Sequence, residues 1–245
     1  MYFCERHQKI LDILKETGSA SVNKLSEHLF VSPPTIRRDL SYLKEQNLIH
    51  RTFGGAALKT LAVDEIPFEL RDGEDAAAKE IIAQKAAKYL ADDMVIFLDA
   101  SSTVFRLVPY VKNFNNITVV TNSPKVCLTL AEDGLSSHCT GGTLLSKSKA
   151  FVGEGAARFI KNFNADVFFF SCRGITKEGF ITDSSIIESE MRRVMMANAD
   201  KSVMLCSSVK IGKKYAYNVA DTNEVDEIIS EIDTSEMFSK KDKGE

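Results

Sequence analysis

The sequence predicts an α/β chain of two unequal parts, a small helical head and a larger body in which helices alternate with apolar strands. Three observations lead there. The first 57 residues carry short amphipathic helices and close on the turn Phe53-Gly-Gly55. From Asp75 onward, continuous apolar runs such as Met94-Val-Ile-Phe-Leu98 and Val167-Phe-Phe-Phe170 are separated by helical stretches, the pattern of a mostly parallel sheet covered on both faces. The 245 residues, 44% of them hydrophobic, suffice for a small domain and a second one with a substantial core.

In the head, Ile10, Leu11, Ile13 and Leu14 mark a first helix that starts at Glu5 and is ended by Thr17-Gly18. Ser21 caps a second helix, in which Val22, Leu25 and Leu29 point inward. The third is the most informative stretch of the chain, Val31-Ser-Pro-Pro-Thr-Ile-Arg-Arg-Asp-Leu-Ser-Tyr-Leu43. Ser32 is placed to cap it, and Pro33 takes the first helical position, where its missing N–H costs nothing. Ile36, Leu40 and Leu43 bury one face and leave Arg37, Arg38, Ser41 and Tyr42 on or beside the other. The helix is expected to end near Asn47. Leu48-Ile-His-Arg51 then reads as a strand, and Phe53-Gly-Gly55 turns it into a hairpin.

Two such helices followed by a hairpin form a winged helix-turn-helix, whose second helix enters the major groove of double-stranded operator DNA. Arg37 and Arg38 are the first candidates for base-edge and phosphate contacts, with Ser32, Thr35, Ser41 and Tyr42 behind them. Arg51, in the wing, is placed for the phosphate backbone. Residues 1–58 carry eight Lys or Arg against six Asp or Glu, in a chain whose net charge is −3. A mildly basic head on an acidic body suits a protein that touches DNA with one part only.

Residues 58–74 are charged, show no clear period and read as a linker; residues 233–245 read as a polar tail. Between them, residues 75–232 form the body. Helix Ala76–Leu90 precedes strand Met94–Leu98, and Ile117–Val120 follows a further helix. Pro124 opens the next helix, and Ser136–Thr140 leads to Gly141-Gly142. Val167–Phe170, a long helix over Ser185–Asn198, strand Ser202–Leu205 and a last one at Ile228-Ile229 complete a Rossmann-like arrangement. Ligands bind such sheets outside the carboxyl ends of the strands. The polar clusters fall there: Asp99 to Thr103, Thr121 to Ser123, Gly141-Gly142, Ser171 to Gly174, and Lys210. Ser101-Ser-Thr103 also opens a helix, so its N–H groups and hydroxyls converge on an anion. With Lys210 as a nearby cation, a phosphorylated small molecule is the ligand class that fits.

The motifs "VSPPTIRRDL" and "RTFGGA", within residues 5–57, resemble the amino-terminal signature of the DeoR family of bacterial transcriptional regulators. Over roughly residues 75–230, "FLDASST", "VVTNS", "TD…E.EMRRVMM" and "LCSSVKIGKKY" resemble the sensor domain of the same family. The resemblance implies a body similar in fold to ribose-5-phosphate isomerase that senses a phosphorylated sugar, whose binding releases the head from DNA. Carried over by position, it implies effector contacts at Asp99, Ser101, Ser102, Thr103, Thr121, Asn122, Ser123, Gly141, Gly142, Gly174, Asp183, Glu188 and Lys210. Two positions depart from the pattern. Ser101 stands where the family has Gly, so its side chain is expected to narrow the cradle or to forbid a positive φ. Ser207 stands where the family has Asp, which removes a hydroxyl acceptor or a partner for Lys210.

Other classes are excluded or set second. The cysteines Cys4, Cys127, Cys139, Cys172 and Cys206 are odd in number and never form a C-x-x-C pair, which suits free thiols in a reducing cytosol. The four histidines lack ligand spacing, and neither metal nor cofactor is expected. Gly153-Glu-Gly155 lacks the third glycine of a dinucleotide fingerprint. No apolar run is long enough to cross a bilayer, and the first residues do not resemble a secretory signal. The expectation is therefore a cytoplasmic repressor of sugar-metabolism genes, not an enzyme. It should act as a dimer or tetramer, because one head covers few base pairs. The competing reading is a sugar-phosphate isomerase-like enzyme with Asp99, Asp183 or Glu188 as general base, which leaves the DNA-binding head without a purpose.

Overall fold

The computed structural model describes residues 3–46, 48–58, 67–234 and 237–238. Contacts divide the chain into two compact units, Met1–Glu74 and Asp75–Glu245. In the first, α1 (Phe3–Thr17) leads through β1 (Ser19–Ser21) to α2 (Val22–Leu29) and α3 (Pro33–Glu45), followed by the hairpin of β2 (Ile49–Thr52) and β3 (Gly55–Leu58). The strands form an antiparallel sheet in the order β1-β3-β2. Ile10, Leu14, Leu25, Ile36, Leu40 and Leu43, all withdrawn from solvent, fill the space between helices and sheet. Strand β1 has no counterpart in the sequence reading: three residues with only Ala20 turned inward are too short to display a period of two. It lies so close to the wing that a Cβ on Gly55 would stand 2.2 Å from the Ala20 carbonyl oxygen.

Two expectations for this unit are corrected, the cap of α3 and the linker. Ser21 caps α2 as expected, accepting from the Lys24 N–H, but the Ser32 hydroxyl makes no capping bond to α3. It pairs instead with the Thr35 hydroxyl at 2.9 Å, and Pro33 and Pro34 leave fewer amide donors for it to satisfy. Helix α3 ends at Glu45, while Asn47 lies outside the described residues. The linker expected over residues 58–74 holds a short helix, α4 (Phe68–Gly73), whose Leu70 joins the core of the first unit. Six residues are too few for a helical period to stand out from flanking charges. Leu58 closes β3, and residues 59–66 lie outside the described residues, as do 235–236 and 239–245 of the tail.

The second unit opens with α5 (Ala76–Ala86), prolonged by one 3-10 turn to Tyr89. Then come β4 (Val95–Leu98), α6 (Ser102–Phe105), α7 (Val108–Val111), β5 (Thr118–Thr121), α8 (Pro124–Glu132) and β6 (Ser137–Cys139). A small hairpin of β7 (Thr143–Leu144) and β8 (Phe151–Val152) precedes α9 (Glu154–Ile160) and β9 (Ala165–Phe170). Next are β10 (Gly174–Ile175), β11 (Phe180–Asp183), α10 (Ile186–Met196), β12 (Ala199–Leu205), β13 (Tyr217–Asp221) and β14 (Glu227–Ile229). Six strands make one sheet in the order β14-β12-β9-β4-β5-β6, every neighbouring pair parallel. Alternate residues feed two cores. Ile96, Leu98, Val167 and Phe169 face α5 to α8, whereas Phe97, Phe168 and Phe170 face α9 and α10. A strand buried on both faces has no polar alternation, which is why these strands read as unbroken apolar runs.

The chain runs from β4 outward to β5 and β6, then returns to the other side of β4 with β9. The strand order therefore reverses between β4 and β9, and a cleft opens at the carboxyl ends of such a pair. The antiparallel sheet β10-β11-β13 and the β7-β8 hairpin were not foreseen.

Candidate functional site

In the first unit, α3 presents Arg37, Arg38 and Ser41 to solvent, and Ser32 is exposed at its start. No carboxylate pairs with Arg37 or Arg38 among the described residues. The Arg51 guanidinium reaches across from β2 to donate to the Arg37 carbonyl oxygen at 3.5 Å, so wing and helix meet at this point. The Ser41 hydroxyl donates to the same carbonyl at 2.9 Å. Tyr42 is only half-exposed, because its ring stacks on His7 with centroids 4.8 Å apart. Of the expected contact residues, Thr35, Arg37, Arg38, Ser41 and Arg51 share the open face, and Tyr42 leans toward α1.

The contact that orients α3 went unread in the sequence. Asp39, two residues past Arg37, is fully buried. Its Oδ2 accepts from Arg6 Nε at 2.5 Å and its Oδ1 from Arg6 Nη2 at 3.0 Å. His7 Nε2 lies 3.1 Å from the same Oδ1. The hydrogen bond to Asp39 raises the Arg6 pKa. Burial pushes His7 below its ordinary value, against the opposing pull of Asp39. A bidentate pair of this kind fixes a helix in rotation as well as position.

In the second unit, Asp99 follows β4 and is buried at the switch point. Its Oδ1 accepts from the Ser101 N–H at 2.9 Å, and its Oδ2 accepts from Arg192 Nε at 2.9 Å and from the Ser171 N–H at 3.3 Å. Asp183 ends β11; its Oδ2 accepts from Arg192 Nη1 at 2.9 Å and its Oδ1 from the Ser184 N–H at 2.7 Å. Burial disfavours the Arg192 charge, but Asp183, Asp99 and Glu188 outweigh it and its pKa is raised. Arg192 was not among the expected residues, although the quoted "EMRRVMM" contains it. Helical spacing signals only that some residue there turns inward, not which partner awaits it. Lys210 Nζ donates to Ser171 Oγ at 2.8 Å and to Thr103 Oγ1 at 3.4 Å. Among the described residues no carboxylate lies within ion-pairing distance of Lys210.

The remaining expected residues divide by role. Ser101 has φ −80° and its hydroxyl caps α6, accepting from the Val104 N–H. The expected backbone conflict is thus absent, since the loop requires no left-handed residue there. With α6 a single turn, the expected dipole at its start is small. Ser102 and Thr103 are buried within it. Thr121 donates to the Leu98 carbonyl oxygen at 2.6 Å, tying β5 to β4, and Ser123 caps α8. Gly142 and Gly174 serve close packing: a Cβ would stand 2.6 Å from the Val152 carbonyl oxygen and 2.4 Å from that of Lys213, respectively. Gly141 has a positive φ of 63°. Asn122 donates to the Phe151 carbonyl oxygen, but its Oδ1 is buried without a partner among the described residues, as is the Ser207 hydroxyl. They stand at the ends of β5 and β12, on either side of the switch point.

Asp99 and Asp183 are both paired with Arg192. Among the described residues, no group of three or more His, Cys, Asp or Glu could hold a metal ion, and no helix is long and apolar enough to cross a membrane.

A helix-turn-helix head with a hairpin wing is thus followed by a parallel-sheet unit. Residues 6–61 match the DeoR-like helix-turn-helix domain and residues 74–232 the DeoR C terminal sensor domain. The chain is 31% identical to the glycerol-3-phosphate regulon repressor of Escherichia coli, over 93% of this chain and 90% of that protein. It is 35% identical to the L-fucose operon activator of Haemophilus influenzae, over 96% and 94%. The chain belongs to the DeoR family of DNA-binding transcriptional regulators, a family of regulators rather than enzymes. A ribose 5-phosphate isomerase from Plasmodium falciparum is similar at 16% identity and a TM-score of 0.41, covering 54% of this chain and 52% of that one; a likeness of that size carries no argument about chemistry.

Two expected outcomes follow from these contacts. His7 is depressed below the unfolded value of 6.5, so below that pH the unfolded chain takes up a proton that the folded state resists. Stability of the first unit therefore falls as pH drops from 6.5 toward 5, and His7→Gln flattens that part of the curve; an unchanged slope in hydrogen exchange against pH contradicts it. Arg192→Met strands two buried carboxylates and should destabilise the second unit by about 3–5 kcal/mol. Combining it with Asp99→Asn and Asp183→Asn should restore a large part of the loss, measured by thermal denaturation.

Proposed function

We propose that this chain is a transcriptional repressor that holds operator DNA through α3 and the wing, and lets go when a phosphorylated sugar enters the cleft between β4 and β9. Lys210 carries this reading. It is a cation at the switch point held by two hydroxyls and, among the described residues, by no carboxylate, so its counter-charge is to be supplied by a ligand. The orphan Asn122 Oδ1 and Ser207 hydroxyl are available to sugar hydroxyls, since buried polar atoms are normally paired. The Escherichia coli relative is named a regulon repressor and the Haemophilus influenzae relative an operon activator, so relatives act with either sign. Arg37, Arg38 and Arg51 meet the DNA, and two or more copies engage paired half-sites. The effector favours an arrangement of the heads that no longer matches the half-site spacing.

The cleft is tested by a thermal-shift screen of phosphorylated sugars against their parent sugars. A compound present at 100 times its Kd adds about 2.7 kcal/mol of stability. One phosphorylated sugar should raise Tm and release operator DNA, its parent should do neither, and Lys210→Met should abolish the shift. Equal shifts from parent and phosphate, or an unaffected Lys210→Met variant, defeat the reading. For the head, Arg38→Ala should weaken operator binding at least tenfold in a gel-shift titration while leaving Tm unchanged; full affinity would exclude Arg38 from the contact.

A further inference from the structure

The tip of the wing carries one side chain that the fold of the head does not use. Thr52 pairs with Gly55, so Phe53 and Gly54 make the turn between β2 and β3. Gly54 has a positive φ of 80° and offers no side chain, which leaves Phe53 alone at the tip, fully exposed. Tight turns are normally built from small and polar residues, and an aromatic ring held in water contributes nothing to the packing of this unit. The tip is nevertheless fixed in place. The Gly54 carbonyl oxygen accepts from the Val22 N–H, at the start of α2, at 2.8 Å. Gly55 lies against the Ala20 carbonyl, and on β2 the Arg51 guanidinium is bonded to the Arg37 carbonyl oxygen of α3.

These anchors place Phe53 relative to DNA. A helix about 10–12 Å across with its side chains fills a major groove about 12 Å wide. Beside α3 there is then the phosphate backbone and, past it, the minor groove. Arg51 stands at that flank of α3. Phe53 is two residues further along the chain, about 7 Å in extended backbone, enough to pass the phosphates. We propose that Phe53 enters the minor groove beside the half-site as an apolar wedge. A groove about 6 Å wide takes an aromatic ring edge-on. Wedges of this kind part neighbouring base steps, and they favour sequences that deform at low cost. The wing therefore reads the flank of the half-site through its deformability, while the arginines of α3 face the major groove. The inference rests on the proposed seating of α3.

The test uses the full chain and the tightest-binding duplex that it selects from a random-sequence pool. Phe53→Ala should keep the wild-type Tm and lose roughly tenfold to a hundredfold in affinity, the range for an aromatic side chain withdrawn from water. Phe53→Leu should keep most of it. The slope of log affinity against log salt should stay unchanged in Phe53→Ala and fall by about one in Arg51→Ala, because only the arginine displaces a counterion. Hydroxyl radicals cleave from the minor groove; the wild-type chain should suppress that cleavage beside the half-site, and Phe53→Ala should restore it. Full affinity in Phe53→Ala, or lost affinity with the minor-groove protection intact, overturns the wedge. Arg38→Ala on the same duplex separates the two readings: weak binding there beside full affinity in Phe53→Ala overturns the wedge and leaves the seating of α3 standing. A Phe53→Ala variant whose only defect is lost self-association in DNA-free sedimentation assigns the tip to a second copy, and overturns it as well.

Discussion

The sensor half depends on one buried cation. Arg192 projects from α10 and binds at once the carboxylate that follows β4 and the carboxylate that ends β11. Without it, Asp99 and Asp183 would be two like charges withdrawn from water, a state that costs several kcal/mol per ion. With it, the small antiparallel sheet is fastened to the large parallel one where the strand order reverses. Its neighbour Arg193 extends the grip, donating to the backbone carbonyls of Asn218 and Val219 on β13. Two consecutive arginines thus hold two sheets from one helix. Lys210 is joined to this network through Ser171, whose N–H bonds Asp99 and whose hydroxyl accepts from Lys210, and among the described residues it meets no carboxylate.

The head uses the same device on a smaller scale. Asp39 faces inward from the helix whose outer face carries Arg37 and Arg38, and Arg6 closes on it with two bonds. A hydrophobic face alone lets a helix rock, because apolar contacts have little angular preference. A bidentate ion pair does not. The acidic residue in "TIRRDL" is therefore the reason its arginines point in one direction.

Much of this was legible in the residues. The spacing of Ile36, Leu40 and Leu43 placed the exposed arginines, and the apolar runs around Phe97 and Phe168 placed the parallel sheet and the polar loops at its carboxyl ends. What stayed hidden shares a physical cause. Strand β1, helix α4 and the β7-β8 hairpin are too short for periodicity to register. Arg192 and Asp183 are joined by geometry that no single segment encodes, and so are Arg6 and Asp39, 33 residues apart. Ser101 was expected to narrow the cradle or to forbid a positive φ, and the observed φ of −80° removes the second of these, since it suits serine without strain.

The central claim is that the cleft between β4 and β9 awaits an anion, and the most direct measurement is a crystal structure of the chain grown with inorganic phosphate. The account predicts a phosphate oxygen within hydrogen-bonding distance of Lys210 Nζ, beside the hydroxyls of Thr103 and Ser171. A structure in which Lys210 is paired with a carboxylate of the protein, the phosphate lying elsewhere, would contradict it.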